Sequence, residues 1–110
     1  MSDKRNKMRA PLDVYLNKYV GGVPYMARAA DISTDGVSLA HLIEPQHQRK
    51  RVGLQFQLPG SEEVIYAEGE VVREWLGDGD AEGSGVRFTL LTERHRRLIE
   101  TYVSRVSDTE

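Results

Sequence analysis

Cysteine is absent from the 110 residues, which removes disulfides, thiolate nucleophiles and Cys-ligated metal sites. Long apolar runs are also missing. No stretch approaches the roughly 20 residues of a membrane-spanning helix. The start, Met-Ser-Asp-Lys-Arg, lacks the apolar segment of a signal peptide. The expected setting is cytoplasmic, with no membrane insertion. Aromatics are few, with one Trp and two Phe, and the formal charge is only −2. Both facts disfavour a polymeric nucleic-acid partner, because phosphate neutralisation by a net basic surface supplies most of that affinity. His41, His47 and His95 are scattered without metal-ligand spacing. Asp78, Asp80 and Glu82 resemble part of a calcium loop but have no Glu at the required distance. No metal is expected. Nor is there a nucleophile–base motif or a phosphate-binding glycine loop leading into a helix, so the chain reads as a non-enzyme.

What is present is a balanced composition, 39% hydrophobic and 29% charged, suited to one soluble domain spanning residues 1–110. Residues 1–10 are polar and locally basic, with Lys4, Arg5, Lys7 and Arg9, and read as a flexible segment. Residues 11–91 read as β structure. Leu12, Val14 and Leu16 alternate with polar residues as a strand up to Val20. Gly21-Gly22 signals a tight hairpin into Val23–Ala30. Asp35-Gly36 turns the chain into a third strand through Val37 and Leu39. Residues 44–51 form a polar connection to the alternating run Val52, Leu54, Phe56, Leu58. Val64 to Val72 makes another strand, with Gly69 marking a bulge. Residues 77–85 read as a flexible acidic loop, followed by a last strand through Val86, Phe88 and Leu90. From residue 92 the period changes. Leu98, Ile99, Tyr102, Val103 and Val106 share one helical face, with Thr92 as N-cap. The expected fold is mainly β: a small closed antiparallel barrel of about six strands, covered at one end by a C-terminal helix that, with a tail, makes up residues 92–110.

Two short patterns carry chemistry. Arg5 and Arg9 stand four residues apart, each a planar fork of donors that grips phosphate oxygens and stacks on rings. Asp31 offers an acceptor-only carboxylate able to take the N1–H and amino hydrogens of a guanine edge. Ser33, two residues on, would share its face in extended structure, and Gly36 allows close backbone approach. These parts suit a guanine nucleotide bearing phosphates. Nothing in them dictates a cyclic dinucleotide.

Arg5-Asn6-Lys7-Met8-Arg9 reads as RxxxR and Asp31-Ile32-Ser33-Thr34-Asp35-Gly36 as D/NxSxxG, both complete and in order. Together with Gly85-Val86-Arg87-Phe88 ahead of the apolar helix, they make the chain resemble the PilZ domain family over almost its whole length. The resemblance implies a bacterial receptor for cyclic di-GMP that signals to an unidentified downstream protein, with motility, pilus or biofilm control as the output. It implies that Arg5 and Arg9 clamp phosphates and stack on guanine, while Asp31, Ser33 and Gly36 line the barrel surface. Lys4 stands where many relatives carry another arginine, which leaves one or two ligand molecules open. Trp75 and Gly85 are minor candidates. The expected mechanism is a mobile Arg5–Arg9 segment drawn down by ligand, in a monomer or weak homodimer. The alternative is a PilZ-like adaptor that binds proteins and no nucleotide.

Overall fold

The computed structural model describes residues 8–42, 49–75 and 83–108. The first hairpin sets the frame. Strand β1 (Ala10–Val20) pairs antiparallel with β2 (Val23–Ile32), and Val20 faces Val23 across a two-residue turn. Gly21 and Gly22 have φ of 59° and 83°, the left-handed values that a primed turn requires and L side chains resist. Strands β3 (Gly36–His41), β4 (Arg51–Phe56), β5 (Ile65–Trp75) and β6 (Gly83–Leu91) follow, then helix α1 (Glu93–Asp108). The strands close into an antiparallel barrel in the order β1-β2-β3-β6-β5-β4. Each described strand has a neighbour on both sides, so none of them is left as a free edge to template aggregation.

Alternation explains the inside of the barrel. Leu12, Leu16, Ala27, Ala29, Val37, Leu39, Val52, Leu54, Ile65 and Ala67 point inward and are buried. Ile99, Tyr102 and Val103 of α1 complete the core. The helix is fastened at its start, where the His95 N–H donates to Thr92 Oγ1 (3.2 Å), as the N-cap reading expects. Farther along, the Tyr102 hydroxyl donates to the Pro11 carbonyl (2.8 Å). One inward position of β1 holds Lys18, 1% exposed, with Nζ 3.4 Å from His41 Nε2, which lies 3.1 Å from Ser84 Oγ. Alternation places all three inward, with Leu16 and Val20 on either side of Lys18, Leu39 before His41 and Val86 after Ser84.

Bulges bend the strands so that the sheet can close. One register shift falls between Glu68 and Gly69, but its extra residue is Thr89 of the facing β6 and not Gly69, where the sequence marks a bulge. Two others, at Ala30 in β2 and Val72 in β5, have larger consequences. Ala27 and Ala29 face inward, so strict alternation would bury Asp31. The extra residue Ala30 instead turns Asp31 outward and sends Ile32 into the core. In β5, Ala67, Gly69 and Val71 face inward, and the extra residue Val72 turns Arg73 outward in the same way.

Two sequence expectations are corrected. The barrel begins at Ala10 rather than after residue 10. The acidic loop is shorter than expected, because β6 already starts at Gly83 and includes Ser84 and Gly85. These small residues carry no apolar period. They join the sheet because β3 and β5 supply backbone partners on both sides, Leu39 and Glu74 facing Ser84 and Ser38 and Arg73 facing Gly85. The remainder of that loop, with Asp78, Asp80 and Glu82, lies outside the described residues, as does His47.

Candidate functional site

The site is one cross-strand row and the turn beside it. Asp31 on β2 faces Ser38 on β3, Ser38 faces Gly85 on β6, and Gly85 faces Arg73 on β5. Two residues along, Gly36 faces Arg87, which faces Glu70. Around these rows lies a groove of about 620 Å³ lined by Arg9, Asp31, Asp35, Gly36, Ser38, Val72, Arg73, Gly85 and Arg87, among others.

Arg9 enters this groove from just ahead of β1. Its Nε–H donates to Asp31 Oδ1 (2.7 Å), and Nη2 addresses the same oxygen. Nη2 also reaches Ser38 Oγ (3.3 Å), and Nη1 lies 3.5 Å from Ser33 Oγ. One guanidinium thus ties together the end of β2, the following turn and β3. It is half-exposed, as is Asp31, so its fork stays accessible from solvent. The flexible segment expected before residue 11 is therefore already anchored at its last arginine. Arg5 and Lys4 lie outside the described residues.

Ser33 departs from its expected placement. The strand ends at Ile32, and Ser33 is fully buried rather than displayed beside Asp31. Its hydroxyl accepts the Asp35 N–H (3.1 Å), and its own N–H donates to the Gly36 carbonyl (2.9 Å). These bonds shape the turn, as Ser side chains commonly do. The turn is held from two further sides. The Phe88 N–H donates to the Asp35 carbonyl (2.8 Å), and Arg96 Nη1 of α1 donates to the Thr34 carbonyl (3.0 Å).

Gly36 has a steric reason for its identity. A Cβ there would fall against the Val86 carbonyl oxygen of β6, so only glycine lets the two strands meet at this point. Gly85 sits in the groove between Ser38 and Arg73. Trp75 does not line the groove; it lies beneath Arg73, whose guanidinium carbon is 5.3 Å from the ring centroid. Ser38 is a site residue that sequence reasoning missed. Its signal was weak but legible, since Val37 and Leu39 point inward and place Ser38 outward. Among the described residues no group of three or more His, Cys, Asp or Glu side chains is placed to hold a metal. No described helix is long and apolar enough to cross a membrane.

Comparison with known proteins places the chain in a family. The PilZ domain model matches residues 3–105, and the chain belongs to that family. No match is found among curated proteins. Among solved structures, the inhibitor of motility MotI/DgrA of Bacillus subtilis superposes with a TM-score of 0.85 at 14% identity, over 99% of this chain and 54% of that one. The PilZ domain of YcgR from Escherichia coli, solved with c-di-GMP, gives 0.68 at 11% identity, covering 97% of this chain and 94% of that one. The PlzA protein of Borreliella burgdorferi, also in complex with c-di-GMP, gives 0.65 at 14% identity, covering 92% and 41%. At these identities the likeness is one of fold. The chain spans about half the length of the MotI chain.

Proposed function

We propose that this chain is a cyclic di-GMP receptor that passes the bound state to a partner protein. The observation that carries the reading is the convergence of Arg9, Asp31, Ser38 and Gly36 on one groove of the barrel wall, with Ser33 shaping its rim. Two PilZ relatives of the same fold were solved with this ligand. The chemistry fits. The Asp31 carboxylate takes the donor edge of a guanine, and the guanidinium of Arg9 takes a phosphate and the purine face. Arg5, from the same RxxxR pattern, supplies the second fork. Ligand recognition needs no bond made or broken, so the role assigned is that of a receptor and not a catalyst. MotI, an inhibitor of motility, motivates motility as the output, in a cytoplasmic setting.

The turn offers a route outward. Its Thr34 carbonyl is held by Arg96 of α1, so a shift of the Asp31–Gly36 segment is felt at the helix. Ligand that reorders this segment changes the surface available to a partner. The adaptor reading has one observation in its favour: Arg9 and Asp31 satisfy each other directly and can serve as a structural clip. Titration calorimetry with cyclic di-GMP separates the two. Saturable heat with a raised melting temperature is expected. No heat and no thermal shift would overturn the receptor reading and favour the adaptor.

A further inference from the structure

The two bulges that flank the groove are matched. At Ala30 the extra residue turns Asp31 out of the barrel; at Val72 it turns Arg73 out. Asp31 and Arg73 are the two ends of the row Asp31–Ser38–Gly85–Arg73, three strand spacings apart, or about 14 Å at roughly 4.8 Å per step. Bulges that re-aim a side chain are concentrated next to functional sites. Here both act on one groove, from opposite walls.

Charge bookkeeping singles out the same residue. Of the three arginines lining the groove, Arg9 is paired with Asp31 and Arg87 with Glu70 (2.6 Å). Among the described residues, Arg73 has no carboxylate partner. Its guanidinium instead lies over the Trp75 ring, a contact that steadies it without neutralising its charge. Among the described residues its cross-strand neighbour on the groove side is Gly85, which has no side chain to stand in front of it. A Cβ built at Gly85 would meet Arg73 Cβ at 3.7 Å and Nε at 3.9 Å, which is ordinary contact. The glycine is therefore not demanded by packing against Arg73, yet it keeps the floor open in front of it.

We infer that Arg73, steadied on Trp75, is the second anion-binding wall of this groove and takes a phosphate of the bound dinucleotide opposite the Asp31 end. The inference rests on the nucleotide-receptor reading above. It adds a cationic residue outside both sequence patterns and gives Trp75 its place as the support of that residue. It also makes the ligand span the width of four strands instead of resting on the β2–β3 turn alone.

The test uses the whole chain, with cyclic di-GMP as the probe. Calorimetric titrations compare wild type, Arg73→Gln and Arg73→Lys, while emission from Trp75, the chain's one tryptophan, is followed in parallel. Arg73→Gln should weaken binding by ~10-fold or more, the loss of about one charge-assisted hydrogen bond. Arg73→Lys, which keeps the charge without the fork, should fall between the two. Wild-type Trp75 emission should change with the same midpoint as the heat. Melting curves check that each variant is folded. If Arg73→Gln melts well below wild type, Gly85→Leu gives the second arm: it leaves Arg73 intact, fills the floor and should weaken binding comparably. Wild-type binding with equal affinity in Arg73→Gln, or with Trp75 emission indifferent to ligand, overturns this inference and leaves the receptor reading standing. No binding by wild type overturns both.

Discussion

Replacing Arg9 by Ala separates a binding role from a structural one. The side chain makes an ion pair with Asp31 and bonds toward Ser38 and Ser33, yet both charged partners are over a third exposed. Exposed pairs of this kind contribute about 0.2–1 kcal/mol, because solvent screens the attraction and ordering long side chains opposes it. At about 4–8 °C per kcal/mol for a domain near this size, the melting temperature should fall by about 1–8 °C. Binding should respond differently. A hydrogen bond to a charged group contributes about 1.5–3 kcal/mol, and 1.4 kcal/mol is tenfold in affinity. Losing one such contact to phosphate therefore weakens cyclic di-GMP binding by ~10-fold to ~100-fold. Arg9→Lys should recover the melting temperature but little of the affinity, since an ammonium cannot reproduce the fork that spans Asp31 and Ser38. Calorimetry and thermal melting on the same samples give both numbers. Wild-type affinity in Arg9→Ala, or a collapse in stability with no separate loss of binding, would refute the assignment.

Three other outcomes follow from the packing and the charges. Gly36→Ala should lower stability by about 1–3 kcal/mol in denaturant titration, because the added methyl meets the Val86 carbonyl and forces β3 from β6. Ile99→Ala should cost about 2–5 kcal/mol in the same assay, since Ile99 is fully buried where α1 completes the core. Glu63 is gripped by Arg94 through two bonds, of 2.6 and 2.8 Å, and this pairing holds its carboxyl below the ordinary value of 4.5. A lowered folded pKa stabilises above the unfolded value and is lost as pH falls through the folded one. Glu63→Gln should therefore melt lower than wild type at pH 7, with the gap closing as acid takes the pH below 4.5 and through the folded value.

Much of this molecule is written in local patterns. Alternating apolar residues specify the strands and their inward faces, because a pleated strand turns successive side chains to opposite sides. Gly21-Gly22 specifies the hairpin, and the change to a helical period after Leu91 specifies α1. The positions of Arg9, Asp31 and Gly36 are legible as well, since each carries a chemistry suited to a nucleotide.

What alternation could not supply is the side on which the decisive residues emerge. Read strictly, it buries Asp31 and Arg73 and keeps Ser33 on the face of Asp31, whereas in the folded chain Asp31 and Arg73 emerge and Ser33 is buried away from Asp31. A bulge is an accommodation between two strands, made when their registers must both close a barrel, so it belongs to the pairing and not to either segment. The same holds for Gly83–Gly85, which becomes a strand only because backbone partners stand on both sides. Residue types thus determined the elements and the chemistry on offer. Closure of the sheet decided which of those groups share one groove, because only there do distant strands set each other's register.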